Sequence, residues 1–375
     1  MKIGIVVPTC NRVHKTKRFI NCLMRQEFTA FKFYMVDSAS ADGTQDLLPI
    51  DGLDAELLIA SRNDWWASAT NIGVRKALSD GCEFILTIND DAIIRPEFLS
   101  DLYDLAVKRK LDILAARIDF AHQPGKVWSL GSFSIWGSPY LFQLKFNGYW
   151  EDELPVEVLS DDIYPCQALC GDGVLISRRV FEDIGEYQSV WCPQVHADSE
   201  FILRANRMAY RAYVATRIVL YNDTENDSKP DYEMENQHIA MDGMSINNEK
   251  KVAHNGVVKF LQDIRRVFFF KKSDVYYRPI LYIVWKYAPH KYLLPTLIKY
   301  FSYKFFLLFI ANSARDIRRR IHGRGTSRYM VWCIKRIALW FFCEKYYDRE
   351  ALIHLSDDAR YLEAISRKRR LTDML

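Results

Sequence analysis

The sequence predicts an α/β protein built on a largely parallel sheet, and three observations carry that expectation. Strand-like and helix-like patterns alternate from residue 1 to about 118, the signature of a parallel sheet covered by helices. Polar residues gather at the carboxyl ends of the strand segments, where ligands of such sheets bind. A chain of 375 residues with 49% hydrophobic content has the material for one large domain or two ordinary ones.

The elements follow in order. "IGIVVP" predicts the first strand, 15–26 a helix, "FKFYMVD" and "AELLIA" two further strands, 67–80 a helix, "EFILTI" a strand, 96–109 a helix and "LDILAARI" a strand. Residues 119–170 are rich in aromatics, Gly and Pro without clear periodicity, which predicts irregular walls around a site. Helices at 177–185 and 198–209 and a strand at 211–215 come next. A polar stretch beginning near 222, "NDTENDSKPDYEMENQ", reads as a linker over 223–256. No internal repeat is present.

Charge divides the chain. Residues 1–250 carry 25 Lys/Arg against 37 Asp/Glu, and residues 251–375 carry 26 against 10, so a net of +4 conceals an acidic part and a strongly basic one. The two parts are expected to meet different partners. Eight cysteines scattered in mostly apolar context argue against a secreted disulfide scaffold and for a reducing, cytoplasmic compartment. The apolar part of "MKIGIVVPTCNR" is too short for an export signal. The uncharged stretch Val127 to Leu144 contains Gly131, Gly137 and Pro139 and reads as loop and short strand, so no membrane-spanning helix is expected.

The strand ends supply the chemistry. Asn11 and Arg12 follow the first strand, Asp37 the second, Asn63 the third, and Asn89, Asp90 and Asp91 the fourth. Any one of these alone reads as a turn residue, but together they offer polar groups to one crevice. Adjacent carboxylates repel unless a positive charge lies beside them, so Asp90 and Asp91 call for a cation.

Several ordered motifs carry a family resemblance: "VVPTCNR", "VDSASADGT", "NDWWASATNIGVRKAL", "LTINDDA", "GDGVLISRRVFEDIGEY" and "HADSEFILRANRMAYR". Across roughly residues 3–220 the chain resembles the inverting, nucleotide-sugar-dependent glycosyltransferases of family 2, of bacterial polysaccharide-assembly type. That resemblance implies a GT-A (nucleotide-diphospho-sugar transferase) fold, a Rossmann-like mostly parallel sheet, with a helical, basic-aromatic extension at the C-terminal end. It implies a catalytic domain over 1–222, donor-binding at 1–118 and acceptor-side at 119–222.

"LTINDDA" stands where the family has Asp-X-Asp, with Asn89 replacing the first Asp, so the resemblance makes Asp91 the ligand of a Mg²⁺ or Mn²⁺ ion that arrives with the donor diphosphate. Such hard cations take oxygen ligands and commonly need few protein carboxylates. The match further implies donor contacts from Pro8, Thr9, Asn11, Arg12, Asp37, Asn63, Trp66, Asn71, Asn89 and Asp90. Asp37 would accept from the base or ribose, while Asp42 and Gly43 form the following turn. Trp65, where the family commonly has Gly, either stacks on the donor or packs under its helix.

The resemblance makes Asp198 the catalytic base, with Ala197 in place of the family's Glu. An N-cap of helix 198–209 is an alternative or additional role for it. Arg204 reads as an internal salt bridge, and Glu200 either supports the site or faces solvent. His196 reads equally as an acceptor or metal contact or a structural residue, and Asp172 as an acceptor contact or a turn brace. Cys166, Cys170, Cys192 and His196 have zinc-ligand spacing, but two of them lie inside matched catalytic motifs.

Residues 257–375 combine Lys/Arg with dense aromatics. Phe260, Leu261, Ile264, Val267 and Phe268 fall on one helical face, which predicts a basic amphipathic helix. Its expected partner is an anionic membrane surface, giving a peripheral protein on the inner face of the cell membrane. A helical core or an oligomer interface is the rival. The triplet Arg318, Arg319 and Arg320 belongs to the same basic segment. Nucleic acid is not expected, because the acidic part lacks groove-reading or stacking motifs.

The sequence therefore points to an enzyme moving a sugar from a nucleotide-sugar donor to a lipid-linked or oligosaccharide acceptor in surface polysaccharide assembly, such as O-antigen or capsule. A nucleotidyltransferase is the alternative, disfavoured by the glycine-free "PTCNRVHK". A non-catalytic membrane- or glycan-binding protein is another.

Overall fold

The apolar runs of the amino-terminal part become the middle of one sheet. In a computed structural model of the chain, residues 2–223, 268, 271 and 276–305 are described. β1 (Ile3–Thr9) and β2 (Phe31–Asp37) pair in parallel, with β3 (Ala55–Ile59) beyond β2 and β4 (Phe84–Thr87) on the other side of β1. Their side chains are buried nearly throughout β1 and β2, which is why these segments read as continuous apolar runs. A two-residue strand, β5 (Ala92–Ile93), follows the Asn89–Asp91 turn.

Helices cover the sheet as the alternation predicted. α1 (Val13–Leu23) buries Phe19, Ile20 and Leu23; α2 (Trp66–Ser79) and α3 (Phe98–Arg109) follow at the expected places. α2 lies so close to β1 that a Cβ on Gly73 would stand 2.4 Å from Val6. The core gathers Ile5, Phe19, Met35, Leu86, Leu99 and Leu220.

The second half of the sheet departs from the expectation. β6 (Ile113–Phe120) was expected, and β7 (Val127–Ser129) pairs antiparallel to it. β8 (Ser132–Ser134) and β9 (Phe142–Leu144) pair with each other, and α4 (Val156–Leu159) and β10 (Ile163–Cys166) complete the stretch expected to be irregular. β11 (Val174–Ser177) runs antiparallel between β4 and β6, so the sheet is mixed but mostly parallel at its centre. Four residues wedged between a glycine turn and the helix α5 (Arg178–Ile184) are too few to show a period.

After α6 (Ala197–Arg207), β12 (Ala212–Asn222) is far longer than the 211–215 expected. Its register shifts between Ala215 and Val219, and polar Thr216 and Arg217 at that irregularity hide the second half. The strand order is β10-β12-β6-β11-β4-β1-β2-β3, with β5 on β12 and β7 on β6.

β6 carries a buried charge cluster that composition conceals. Arg117, 2% exposed, meets Asp119 through two 3.0 Å bonds, Glu151 at 2.9 Å and the Thr216 carbonyl at 3.0 Å. Breaking such a network strands a charge in the interior.

The chain divides into two units. The first contains the described residues 2–132 and 144–223, with the sheet and its helices. The second contains residues 133–143 with α7 (Tyr277–Tyr287) and α8 (His290–Phe305). There the Gly137 amide donates to Thr296 Oγ1 at 2.6 Å, Lys299 Nζ donates to the Gly137 carbonyl at 2.6 Å, and the Tyr140 and Tyr303 hydroxyls meet at 3.1 Å. Leu281, Trp285, Leu294 and Ile298 are exposed.

The linker beyond 223, the amphipathic segment at 260–268 apart from Phe268, and Arg318–Arg320 lie outside the described residues. Among the described residues no helix is long and apolar enough to cross a membrane.

Candidate active site

The chain passes out of β4 into Asn89, Asp90 and Asp91, and the positive group beside the two carboxylates is a guanidinium. Arg12, at the start of α1, places Nε 3.1 Å from Asp90 Oδ1, and its Nη2 donates to Asp91 Oδ2 at 2.7 Å. Asp90 is 1% exposed, and its Oδ2 accepts from the hydroxyls of Thr9 at 2.8 Å and Thr16 at 2.9 Å. Asp90 and Thr9 thus anchor the end of β4 to the end of β1 and the first turn of α1. Burial pushes the Asp90 acid up, Arg12 pulls it down, and the Asp91 charge raises it again. Asp91 Oδ1 is buried and accepts no hydrogen bond.

A third carboxylate supports this turn from behind. Asp172 lies between Gly171 and Gly173; Gly173 has φ +72, a backbone region that L side chains rarely adopt. Asp172 Oδ1 accepts the Asn89 amide at 2.9 Å and Oδ2 accepts from Asn222 Nδ2 at 3.1 Å. Burial, with the charge of Asp91 adding to it, pushes this acid up to about 7. At 3% exposure, with both oxygens engaged, it has the partners of a turn brace, one of the two roles expected for it.

Trp66 joins the Asn89–Asp91 turn to the expected base. Its indole Nε1 donates to Asn89 Oδ1 at 3.0 Å, and its ring meets Tyr187 edge-on with centroids 5.3 Å apart. A Cβ on Gly171 would stand 2.6 Å from the Trp66 ring and 3.2 Å from Asp198 Cβ. Asp198 Oδ2 accepts the Gly171 amide at 2.7 Å and Oδ1 accepts the Ser199 amide at 2.7 Å. Burial raises this acid while those amides pull it down.

Asp198 is not the N-cap considered from the sequence. α6 starts at Ala197 after His196, whose φ of 63 turns the chain into the helix, so Asp198 falls in the first turn. Acidic groups there are favoured by the helix dipole. Glu200 is buried and pairs with Arg204 at 3.2 Å, and Arg204 also donates to the Glu186 carbonyl at 2.6 Å, the internal role expected for it.

The loop after β2 is tied to the loop after β1. Asn11, at φ 53, donates its amide to Ser40 Oγ at 2.7 Å and accepts the Ala41 amide at 2.8 Å. Asp42 accepts the Val13 amide at 2.9 Å, covering the first turn of α1 from across the gap. Asp37 is fully buried; its Oδ2 accepts from Ser40 N at 2.9 Å and Gln45 Nε2 at 2.6 Å, and its Oδ1 accepts nothing. Pro8 is half-buried and Asn63 exposed.

Asn71, expected as a donor contact, has both ends of its amide engaged within the fold. Its amide donates to the Tyr187 carbonyl at 2.9 Å and accepts the Tyr187 amide at 2.9 Å, with the residue 4% exposed. Both ends of the group serve a clamp between α2 and the segment before α6. Sequence reasoning missed Thr16, Asn222, Tyr187 and Gln194, whose Oε1 accepts the Trp66 amide at 3.0 Å. Tyr187 closes the motif "GDGVLISRRVFEDIGEY" but has no expected role there, and the other three lie outside the residues singled out; each acts through a partner distant in the chain.

Among the described residues no three His, Cys, Asp or Glu side chains gather to hold a metal ion, so the zinc spacing of Cys166, Cys170, Cys192 and His196 is not realised as a site. Burial pushes the Cys166 thiol up to about 12 and the Cys170 thiol well above its ordinary value, disfavouring the thiolate that binds metal. A divalent cation fits Asp91 in another way: a buried carboxylate oxygen without a partner is a ready ligand for an ion that brings phosphate and water as its remaining ligands.

Comparison with known proteins identifies the domain. The description "Glycosyl transferase family 2" matches residues 4–185. That domain belongs to glycosyl transferase family 2. The family 2 match spans both the Asn89–Asp91 turn and Asp172 and stops short of Asp198. A curated relative, the uncharacterized glycosyltransferase YwdF of Bacillus subtilis (strain 168), is 25% identical over 239 residues, 62% of this chain and 78% of the relative. Solved structures similar to the chain include S. aureus TarS 1-349, at 15% identity and TM-score 0.45 over 93% of both chains. The mannosyltransferase PcManGT from Pyrobaculum calidifontis, in complex with GDP-Man and Mn²⁺, is 12% identical with TM-score 0.45, over 90% of this chain and 80% of its own. GalNAc-T7 with UDP, GalNAc and Mn²⁺ is 11% identical with TM-score 0.48, over 60% of this chain and 44% of its own.

Proposed function

We propose that the protein is an inverting glycosyltransferase that moves a hexosyl or deoxyhexosyl unit from a nucleotide-sugar donor to a lipid-linked glycan acceptor. The observation that carries this reading is the indole of Trp66. It bonds to Asn89 beside Asp91 and packs against Gly171, whose amide holds Asp198. Donor-side and base-side groups are thereby fixed to one rigid ring.

Asp91 would hold a Mg²⁺ or Mn²⁺ ion through its unpartnered Oδ1. When bound, the ion supplies charge to stabilise the departing diphosphate. Asn11, Arg12, Asp37, Asn63 and Asn89 line the donor side, Pro8 and Trp66 add apolar contact, and Thr9 and Asp90 hold the turn from within. Asp198 accepts the proton of the acceptor hydroxyl as that oxygen bonds to the anomeric carbon. The bond from that carbon to the donor phosphate breaks, and the nucleoside diphosphate leaves with the electron pair. A single in-line displacement inverts the configuration. Residues 1–118 serve the donor and residues 119–222 the acceptor, where His196 opens α6 beside Asp198.

The lipid-linked acceptor is supported by the second unit. Between 276 and 305 stand Arg278, Lys286, Lys291, Lys299 and Lys304 with no Asp or Glu, alongside exposed Leu281, Trp285, Leu294 and Ile298. Basic helices with exposed apolar residues suit an anionic membrane surface. The protein then works as a peripheral enzyme on the inner face of the membrane in O-antigen or capsule assembly.

Nucleotide release from UDP-, dTDP- and GDP-sugars with Mn²⁺, Mg²⁺ or EDTA, with a membrane extract as acceptor source, tests the reading. One donor is expected to turn over with metal, and Asp91→Asn and Asp198→Asn each to lose about 100-fold or more in kcat. Full activity in Asp198→Asn would exclude it as the base.

A further inference from the structure

We propose that Arg12 is an internal counter-ion that occupies the cation position beside Asp91 until donor and metal arrive together, so that the free protein binds metal weakly. The inference rests on the metal-dependent transfer proposed above.

Asp90 and Asp91 are adjacent and buried, at 1% and 6% exposure. Burying two neighbouring carboxylates is unfavourable unless positive charge compensates them. The Arg12 guanidinium supplies it, with Nε 3.1 Å from Asp90 Oδ1 and Nη2 2.7 Å from Asp91 Oδ2. The two acids are otherwise held differently. Asp90 is fixed by the hydroxyls of Thr9 and Thr16, whereas the Asp91 carboxylate meets Arg12 through one oxygen and leaves the other without a hydrogen bond.

The Arg12 side chain is 32% exposed while both carboxylates are nearly buried, so the compensating charge sits on the partner that faces solvent. A divalent ion entering beside Asp91 meets that guanidinium at close range, and like charges at such distance repel strongly. A nucleoside diphosphate relieves the repulsion, because its phosphates accept the planar fork of an arginine in place of Asp91. Metal and nucleotide thus favour each other's binding, and the coupling is reciprocal.

The test is Mn²⁺ titration of the full chain, followed by the electron paramagnetic resonance signal of free Mn²⁺, alone and with UDP, dTDP or GDP against a protein-free control, for wild type, Arg12→Gln, Arg12→Lys and Asp91→Asn. Arg12→Gln is expected to bind Mn²⁺ roughly tenfold or more tightly than wild type without UDP. Arg12→Lys keeps the charge and should stay within a few-fold of wild type. One of the three diphosphates should tighten Mn²⁺ binding to wild type far more than to Arg12→Gln.

If Arg12→Gln binds Mn²⁺ no tighter than wild type, while Asp91→Asn abolishes binding, the counter-ion role is overturned and the metal site stands. If no protein binds Mn²⁺ alone or with UDP, dTDP or GDP, both are overturned. The wild-type chain also carries the test without any variant, because an absence of tightening by all three diphosphates would refute the coupling.

Discussion

Gly171 and Trp66 share a space that a hydrogen fills and a methyl cannot, since the added Cβ would stand 2.6 Å from the ring. Gly171→Ala must displace the indole, the Asn89 turn it bonds, or Asp198. Overpacking of this kind costs about 1–3 kcal/mol, and misplacing a catalytic group costs more in rate than in stability. The variant should melt a few degrees lower and lose about tenfold or more in kcat; unchanged turnover would show that the ring does not position Asp198 as the proposed base. Asp172 makes a prediction with a sign. Burial first, then Asp91, holds its acid up at about 7 against an ordinary 3.8. Between those values the unfolded chain releases a proton that the folded chain keeps, so this group's contribution falls as pH rises through that window and is level above it. Asp172→Asn lacks that loss, so in EDTA its urea midpoint should gain on wild type from pH 4 to pH 7; the opposite trend would place the raised acid elsewhere. At this scale the motifs located Asp91, Asp198 and Trp66 in sequence. They did not show that Arg12 would face Asp90 and Asp91, or that Asp172 would face inward, because side-chain direction depends on partners distant in the chain.

Elements in this protein are positioned by side chains reaching backbone as much as by apolar packing. Asn71 spans from α2 to both backbone groups of Tyr187 at 2.9 Å, and the Tyr187 ring in turn meets Trp66. Asn71→Ala would leave a buried N–H and a buried carbonyl unsatisfied, at about 2–4 kcal/mol together. A clear fall in melting temperature is expected, with the donor KM of the folded enzyme within about twofold of wild type because the amide faces Tyr187. A large rise in KM with unchanged melting would make Asn71 a donor contact. The parallel strands and α1 to α3 were legible because each is an uninterrupted apolar or amphipathic run. β11 was not, since four residues in a glycine-flanked turn have no period, and the end of β12 was masked by Thr216 and Arg217 at its irregularity. Those two strands matter to the site. β11 follows the Gly171–Gly173 turn, and β12 ends at Asn222 on Asp172.

For the whole molecule the governing quantity is the uneven charge, with an excess of 12 acidic residues up to residue 250 and of 16 basic ones after it. An anionic surface repels the first part and attracts the second, so attachment through the basic part is favoured on electrostatic grounds alone. Apolar side chains decide whether contact becomes insertion, and Trp285 is the most exposed large one among the described side chains of α7 and α8, at 73%. Two contributions make two separable predictions. Flotation of the full chain with vesicles of phosphatidylcholine and about 30% phosphatidylglycerol should weaken as salt rises from about 0.05 to 0.5 M, because the screening length shrinks well below 10 Å. Trp285→Ala should lower the bound fraction severalfold at any salt, since indole burial at an interface does not depend on screening. Binding only to charged vesicles with no effect of Trp285→Ala would mean surface adsorption without insertion. No binding, together with a concentration-dependent dimer that Trp285→Ala dissolves, would turn the same exposed residues into a protein interface and remove the main support for a membrane-bound acceptor.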